Sequence, residues 1–406
     1  MDKNKIQKDI FFIRQSMLLL FVILLLSFEA FSQFKITKFE PDPFFQAERN
    51  KFNALPLLRY NRVAGPVIGM DYSFVAKKMR NIELSGQACF GLQDKFRYRA
   101  GIQKAFFVFN PLTVGAAYFD QISTQDDWII SYNENSAAAF FIKEDFMDYY
   151  SQQGFIAFVD HKFAEVHTIR LEVDQRHFKS LAKHTNWALL GKKKNFRDNP
   201  AVFEEKAVGI RLLWALDWRN NPLLPNKGWY VEGKLEQTLG KLTDTRGLFL
   251  TVKRYQPAFS IHSLQMKLLI GTRSGADLGN QYLMDLGGLG SLVAYKDKEF
   301  TNGNRLLLAT ARYLFNGDVL SRLPLHFLPF YDQLSLGMFV ESGWLFLAGE
   351  EKNVLSGFSS LTAKQLKTDF GISLYITEGV VRIDFAKRTD RSENAWRFTL
   401  RLMEQF

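Results

Sequence analysis

The last strand-length stretch of the chain alternates between apolar and polar residues. In "AWRFTLRLMEQF" (395–406), Trp396, Phe398 and Leu400 fall on one face of an extended strand, and Arg397 and Arg401 fall on the other. A strand of a soluble sandwich would show the same period of two. Segments of about ten residues, with charge recurring on the second face, are typical of tilted transmembrane strands that place one face on lipid and the other on a wet lumen.

Segments with this alternation recur along the chain, and we count sixteen of them. They lie near residues 55–64, 66–76, 80–91, 95–108, 111–124, 152–162, 165–177, 206–219, 228–239, 247–258, 262–273, 304–315, 331–345, 365–377, 379–388 and 395–406. An even number of strands returns both termini to the periplasm, as a single-chain bacterial barrel requires. The pattern therefore predicts an all-β fold, a transmembrane antiparallel β-barrel of sixteen strands.

The connections between these segments support the same topology. With a periplasmic N-terminus the odd-numbered connections face outside, and the long connections are odd-numbered: 125–151, 178–205, 274–303 and 346–364. The even-numbered connections are mostly short, with 316–330 as the exception. Long outer loops and short inner turns are expected of outer-membrane barrels. The aromatic last residue, Phe406, resembles the C-terminal signal of such barrels.

The start of the chain indicates export. A leader with Lys3, Lys5, Lys8 and Arg14 precedes the apolar run "MLLLFVILLLSF" (17–28), which is too short to span a bilayer comfortably. We predict a signal peptide over 1–32, a short periplasmic segment over 33–53 and the barrel over 54–406. An uncleaved N-terminal anchor is the alternative. The predicted location is the outer membrane of a Gram-negative bacterium.

The stretch "LGGLGSLVAYKDKEFTNGN" (286–304) resembles the sixth extracellular loop of the bacterial surface antigen family, the outer-membrane assembly barrels that include BamA and TamA. That loop carries a glycine pair, then Arg-Gly-aromatic, then Phe-x-Gly-Asn. The positions that match in order are Gly287, Gly288, Tyr295, Phe300, Gly303 and Asn304. The resemblance implies a loop that folds back into the lumen.

Two further stretches resemble the same family, and they extend the resemblance over residues 206–406. "DWRNNPLLPNKGWYVEG" (217–233) resembles its periplasmic hairpin, with matches at Asp217, Arg219, Asn221, Pro222, Pro225 and Gly228. "LGMFVESGWLF" (336–346) resembles the strand that carries a lumen-facing acid, here Glu341.

The loop departs from the family pattern where the resemblance implies an arginine paired with that acid. The arginine and the following glycine fall at Val293 and Ala294. A carboxylate without its arginine must be solvated or find another cation. We expect Lys296 to replace the arginine, with Lys298 or Arg305 as the next candidates. The second departure is the expected absence of periplasmic POTRA repeats, because 33–53 is too short to hold one.

Composition limits the partners and the chemistry. The net charge of +10 suits nucleic acid or an anionic membrane surface, and on an exported barrel we expect outer-membrane lipid and lipopolysaccharide rather than nucleic acid. The basic run 191–196 would bind headgroups or remain solvated. Residues 136–150 would form a short helix on the membrane or over the pore, with plain loop packing as the alternative. The single cysteine, Cys89, provides neither a disulfide nor a metal cluster, and we expect no metal and no cofactor.

Three functions remain open at this point. The resemblance implies insertion or translocation of proteins or lipids through a weak seam between the first and last strands, 55–64 and 395–406. A separate periplasmic partner would supply what the missing repeats do. A passive or plugged channel is the alternative. A surface enzyme is disfavoured, because none of the six histidines lies in a Gly-x-Ser-x-Gly or His-Glu-x-x-His motif.

Overall fold

The computed structural model describes residues 51–75, 82–107, 109–222, 225–259, 262–275, 278–315, 334–349, 353–376, 381–390 and 396–402. The predicted signal peptide, residues 33–50 and Phe406 lie outside these residues. The first strand begins at Lys51, slightly before the predicted start of the barrel at residue 54.

Eighteen strands and one α-helix lie in the described residues. The strands are β1 (Lys51–Asn61), β2 (Gly65–Val75), β3 (Ile82–Gly91), β4 (Phe96–Phe106), β5 (Leu112–Thr124), β6 (Tyr149–Phe163), β7 (His167–Ser180), β8 (Lys206–Arg219), β9 (Gly228–Gly240), β10 (Asp244–Ala258), β11 (His262–Ser274), β12 (Met284–Leu286), β13 (Phe300–Gly303), β14 (Arg305–Phe315), β15 (Leu334–Phe346), β16 (Lys367–Ile376), β17 (Val381–Arg388) and β18 (Arg397–Leu402). All except β12 and β13 form one antiparallel sheet of sixteen strands in chain order. This sheet is the predicted β-barrel, and the predicted number of strands is confirmed.

Alternation along each strand separates a lipid face from a lumen face. On β8, Val208, Ile210 and Leu212 are 44%, 51% and 41% exposed, although they are apolar. Between them Arg211 points the other way, and its guanidinium pairs with Glu172 at 2.8 Å on the neighbouring strand. Apolar side chains in contact with lipid and charged side chains paired across strands in the lumen are the arrangement that a transmembrane barrel requires.

The two ends of the barrel differ in the length of their connections. One end carries the long connections 125–148, 181–205, 275–304 and 347–366, and the other carries short turns such as 164–166. β12 and β13 form a small ribbon inside the connection 275–304, which the alternation did not predict.

Helix α1 (Tyr132–Ile142) lies in the connection between β5 and β6. Ser131 caps its first turn, since the Ser131 hydroxyl accepts from the Glu134 N–H at 3.2 Å. The helix ends at Ile142, and Lys143 caps it with a left-handed backbone, at a φ of 60°. The sequence predicted a helix here but placed its start at 136. No helix in the described part of the chain has the length and apolarity needed to cross a bilayer.

Candidate functional site in the barrel lumen

The glycines of the lumen loop (residues 286–304) hold a tight backbone fold. Gly287, Gly288 and Gly290 have φ values of 112°, 83° and 76°, which side chains rarely adopt. A Cβ on Gly290 would lie 2.2 Å from the Ile129 carbonyl oxygen, so the loop packs directly against the start of the α1 connection. The glycine pair that carried the resemblance is therefore required by backbone geometry.

The tip of the loop binds two acids on the barrel wall through its backbone. The Val293 N–H donates to Glu341 Oε2 at 3.1 Å, and the Ala294 N–H donates to Asp369 Oδ2 at 2.7 Å. Glu341 on β15 and Asp369 on β16 are directly opposite each other in the strand register. Two adjacent peptide N–H groups, at the positions where the family pattern would place an arginine and a glycine, thus bind the two acids.

The cation that pairs with Glu341 comes from the wall and not from the loop. Arg312 on β14 donates from Nη2 to Glu341 Oε1 at 2.8 Å, and both side chains are 4% exposed. Lys296, the expected partner, is exposed, and its backbone N–H bonds to Glu299. The predicted Lys296–Glu341 pair is therefore wrong. Arg312 faces Phe339 in the register, which makes it the diagonal neighbour of Glu341 on the lumen face.

A third acid completes the cluster that we call the acid seat (Glu341, Asp369 and Asp384). Asp384 on β17 pairs with Arg382 at 2.9 Å and with Arg312 at 3.4 Å. Three carboxylates thus face two guanidinium groups. Asp369 is fully buried, and in the described structure its Oδ1 has no hydrogen-bond partner. The two loop N–H groups therefore contribute positive electrostatic potential where the wall has too little.

Side chains of the loop tip add contacts around the acid seat. Val293 packs with Phe339 and Ala386, in the space that an arginine side chain would need. Tyr295 is fully buried and donates its hydroxyl proton to the Thr368 carbonyl at 3.2 Å. The loop tip therefore fits the inner wall by apolar packing as well as by hydrogen bonds.

Two arginines of the last strands also hold the loop. The guanidinium of Arg388 lies 3.9 Å from the centroid of the Tyr295 ring and pairs with Glu299 at 2.8 Å. Arg397 on β18 donates to the Tyr295 carbonyl. The loop is thus bound to the final strand of the sheet.

The other two candidate cations have different partners. Lys298 pairs with Asp126 at 2.8 Å, with Asp148 at 2.5 Å and with Asp285 at 3.0 Å. Burial lowers the pKa of Lys298, but Asp126 and Asp148 outweigh it and raise the pKa above its ordinary value. Arg305 is fully buried and donates to the Ser356 carbonyl at 2.7 Å. Lys298 therefore joins the lumen loop to the α1 connection, and Arg305 ties β14 to the connection 347–366.

The C-terminal end of the lumen loop is held against the end of β15 and the residues that follow it. The Asn304 amide bonds the Ala348 backbone in both directions, at 3.1 Å from Nδ2 and 2.8 Å to Oδ1. A Cβ on Gly303 would lie 2.3 Å from Leu345 Cγ. Phe300 packs its ring 5.6 Å from that of Tyr295.

The predicted periplasmic hairpin connects β8 and β9. Arg219 pairs with Asp217 at 2.7 Å, and Gly228 has a φ of 120° with no room for a Cβ beside the Trp218 carbonyl. Asn220, which the motif did not include, accepts the backbone N–H groups of residues 226 and 227 and closes the turn. The remaining motif positions, Asn221, Pro222 and Pro225, lie in this turn.

Comparison with protein families decides the classification. The model of the Omp85 superfamily domain matches residues 98–403. The chain belongs to the Omp85 superfamily. The family resemblance seen in the sequence is thereby confirmed, and an Omp85 β-barrel implies a location in a Gram-negative outer membrane.

The fold of the chain is similar to that of a solved BamA structure at low sequence identity. BamA from Haemophilus ducreyi lacking POTRA domains 1–3 has a TM-score of 0.59 and 12% identity, with 87% of this chain and 70% of that chain covered. CdiB from Acinetobacter baumannii has a TM-score of 0.39 and 9% identity, covering 87% and 59%. CdiB from Escherichia coli has a TM-score of 0.39 and 10% identity, with 90% of this chain and 62% of that chain covered. No curated protein sequence matches the chain.

The first and last strands of this Omp85 barrel form its seam. The ladder of the sheet begins at β1 and ends at β18. Over the described residues of these two strands, 51–61 and 397–402, no backbone ladder joins them. Over these described residues, the seam is thus the place where the barrel wall lacks strand pairing.

Proposed function

We propose that this Omp85 barrel assists the insertion or translocation of proteins or lipids at the outer membrane, and that its seam is the route. The observation that carries the proposal is the seam itself, since β1 and β18 share no ladder in their described residues. Every other neighbouring pair in the sheet is joined by a continuous antiparallel ladder that is costly to break.

The lumen loop is placed to sense the position of β18. Arg397 of β18 bonds the Tyr295 carbonyl, and the acid seat lies on β15, β16 and β17. Movement of the last strands would therefore break loop contacts, and release of the loop would free those strands. The lumen loop and the seam form one mechanical unit in this proposal.

Clients and lipids complete the proposal. Residues 1–32 act as a cleaved signal peptide, and Phe406 acts as an assembly signal for the barrel. A separate periplasmic protein delivers clients, and lipopolysaccharide and other outer-membrane lipids surround the wall. We propose no covalent chemistry for the barrel, because the support for its role comes from the seam and the loop and not from a set of catalytic residues.

The test is to restrain the seam. Leu58 and Phe398 are 71% and 56% exposed on the first and last strands, and both can be replaced by cysteine in a Cys89→Ser background. Leu212 and Leu235, which face each other within the β8–β9 ladder, provide a matched control pair. Each purified protein is linked with a bis-maleimide and reconstituted in liposomes. An unfolded eight-stranded outer-membrane protein is then added, and its insertion is followed by the compact band of the folded client on unheated gels.

We expect the protein with the linked seam to lose its acceleration of client insertion, and the linked control to keep it. Equal acceleration by both linked proteins would contradict the proposal, because a seam that cannot widen would then be sufficient.

A plugged channel is the second candidate, and a polar cavity in the lumen supports it. The cavity has a volume of about 320 Å³ and is lined by residues that include Asp174, Arg176, Lys234 and Glu236. A protein that conducts steadily in planar bilayers, and does not accelerate client insertion, would favour this reading. A closed protein that conducts only after deletion of 286–302 would show that the lumen loop is the plug.

A further inference from the structure

Helix α1 contacts both faces of the first barrel strand. The ring centroid of Tyr132 lies 4.8 Å from the Arg59 guanidinium, and the ring of Phe140 lies 5.5 Å from that of Tyr60. Arg59 and Tyr60 are consecutive on β1, so their side chains point to opposite faces of the wall. A helix that contacts both must cross the free edge of β1. Helix α1 therefore passes through the seam.

The helix also binds the backbone of both strands that border the seam. The Tyr60 N–H donates to the Ser136 hydroxyl at 2.5 Å on the β1 side. On the β18 side, the Leu402 N–H donates to Glu134 Oε1 at 2.8 Å. Backbone N–H groups at strand edges need acceptors. Two side chains of one helix supply them for both edges.

An ion pair strengthens the contact with β18. Arg401 donates from Nε to Glu134 Oε1 at 2.8 Å and from Nη2 to the Ile129 carbonyl at 3.1 Å. The side chains of Glu134 and Arg401 are 6% and 3% exposed. Asn135 ties the helix to the residues that follow it, because its amide donates to Asp145 Oδ1 at 2.9 Å. The alanines in the middle of α1 have small side chains, so the helix backbone can lie close to β1, and Ala139 is fully buried.

We propose that α1 closes the seam in place of a β1–β18 ladder, and that Glu134 is the group on which closure depends. A ladder must break many backbone bonds to open, whereas α1 holds each edge through a few side-chain bonds. The seam opens when the Glu134 contacts break and the helix withdraws from between β1 and β18. This closure is independent of what passes through the seam, so it holds whether the barrel inserts clients or conducts solutes.

Hydrogen exchange read by mass spectrometry on the full, signal-cleaved protein in liposomes tests the proposal. In the wild type, peptides covering β1, β18 and α1 should exchange as one cooperative unit, more slowly than free edges would and faster than β8 and β9. In E134A, exchange in the β1 and β18 peptides should rise about tenfold or more, the loss expected for charged hydrogen bonds. The β8 and β9 peptides should not change.

A matched control is the acid just past the other end of the helix. Glu144 forms an exposed pair with Lys194, away from the seam, so E144A should leave exchange at both edges unchanged. R401Q removes the same seam bond from the β18 side and should reproduce E134A. Wild-type edges that exchange independently of α1, or an E134A effect spread evenly over the barrel, would overturn the proposal. Because the readout is closure and not transport, either result leaves the test of the seam route untouched.

Discussion

Replacing Arg312 with methionine should release the lumen loop. Arg312 is the cation that pairs with Glu341 at 2.8 Å and also lies 3.4 Å from Asp384. Its removal leaves the acid seat with three carboxylates and one guanidinium, that of Arg382. Removing one partner of a buried ion pair costs about 3–5 kcal/mol, because the remaining charge stays buried without compensation.

Most of that cost should favour loop release. When the loop is seated, the Val293 backbone covers Glu341, which is buried. When the loop leaves, water reaches the carboxylate and removes the penalty. We therefore take the lower end of the range, about 3 kcal/mol, as the change in the free energy of loop opening. That change corresponds to an increase in the open fraction of roughly a hundredfold.

Chymotrypsin cleavage after Tyr295 measures this opening, because the Tyr295 side chain is fully buried in the seated loop. Proteoliposomes are digested briefly, and the fragment ending at Tyr295 is followed by mass spectrometry. Under conditions where opening is fast relative to cleavage, the rate follows the open fraction. The R312M protein should be cleaved roughly a hundredfold faster than the wild type.

Two controls separate the charge argument from general damage. E341Q keeps an acceptor for the Val293 N–H and leaves no unpaired anion, so it should change the free energy of loop opening by only about 1 kcal/mol. The double variant R312M/E341Q should recover most of the loop stability that R312M loses. K296A alters an exposed side chain and should change the opening free energy by less than about 0.5 kcal/mol. Unchanged cleavage in R312M, or an equal effect of K296A, would refute the reasoning.

Three further predictions use the same cleavage or exchange measurements. Val293→Arg should speed cleavage, because it places a second guanidinium beside Arg312 in a filled space. Adding R312M should reverse the effect, and a double variant without this reversal would contradict the prediction. Gly290→Ala should destabilise the seated loop by about 1–3 kcal/mol, because its φ is 76° and the Ile129 carbonyl blocks the new Cβ; wild-type cleavage would show that the contact yields. Burial raises the pKa of Asp297 to about 6, so the seated loop binds the proton more tightly than the open loop and gains stability as pH falls from about 6 towards 4. The hydrogen exchange of the loop should lose this pH dependence in D297N, and an unchanged pH profile would assign the dependence to other groups.

The alternation of apolar and polar residues, together with the charge on the polar face and the lengths of the connections, predicted the barrel. The period of two is a local property of each strand, because lipid and lumen impose opposite demands on successive side chains. Strand number and the position of the long connections follow from it, and the structure confirms sixteen strands in chain order. The glycines of the lumen loop were also recognisable from sequence, since other residues rarely adopt the backbone angles found at residues 287, 288 and 290.

The partner of Glu341 and the occupant of the seam were decided only by tertiary structure. Arg312 reaches Glu341 because the β14–β15 register makes the two diagonal neighbours, and a shift of one residue would turn Arg312 to the lipid. Glu134 reaches Leu402 across 268 positions of sequence, through a connection whose path no local pattern encodes. The sequence alone determined which face of each strand meets lipid, since that depends on neighbouring residues. Which charges meet inside the barrel depends on how distant segments are aligned, and only the closed fold brings them together.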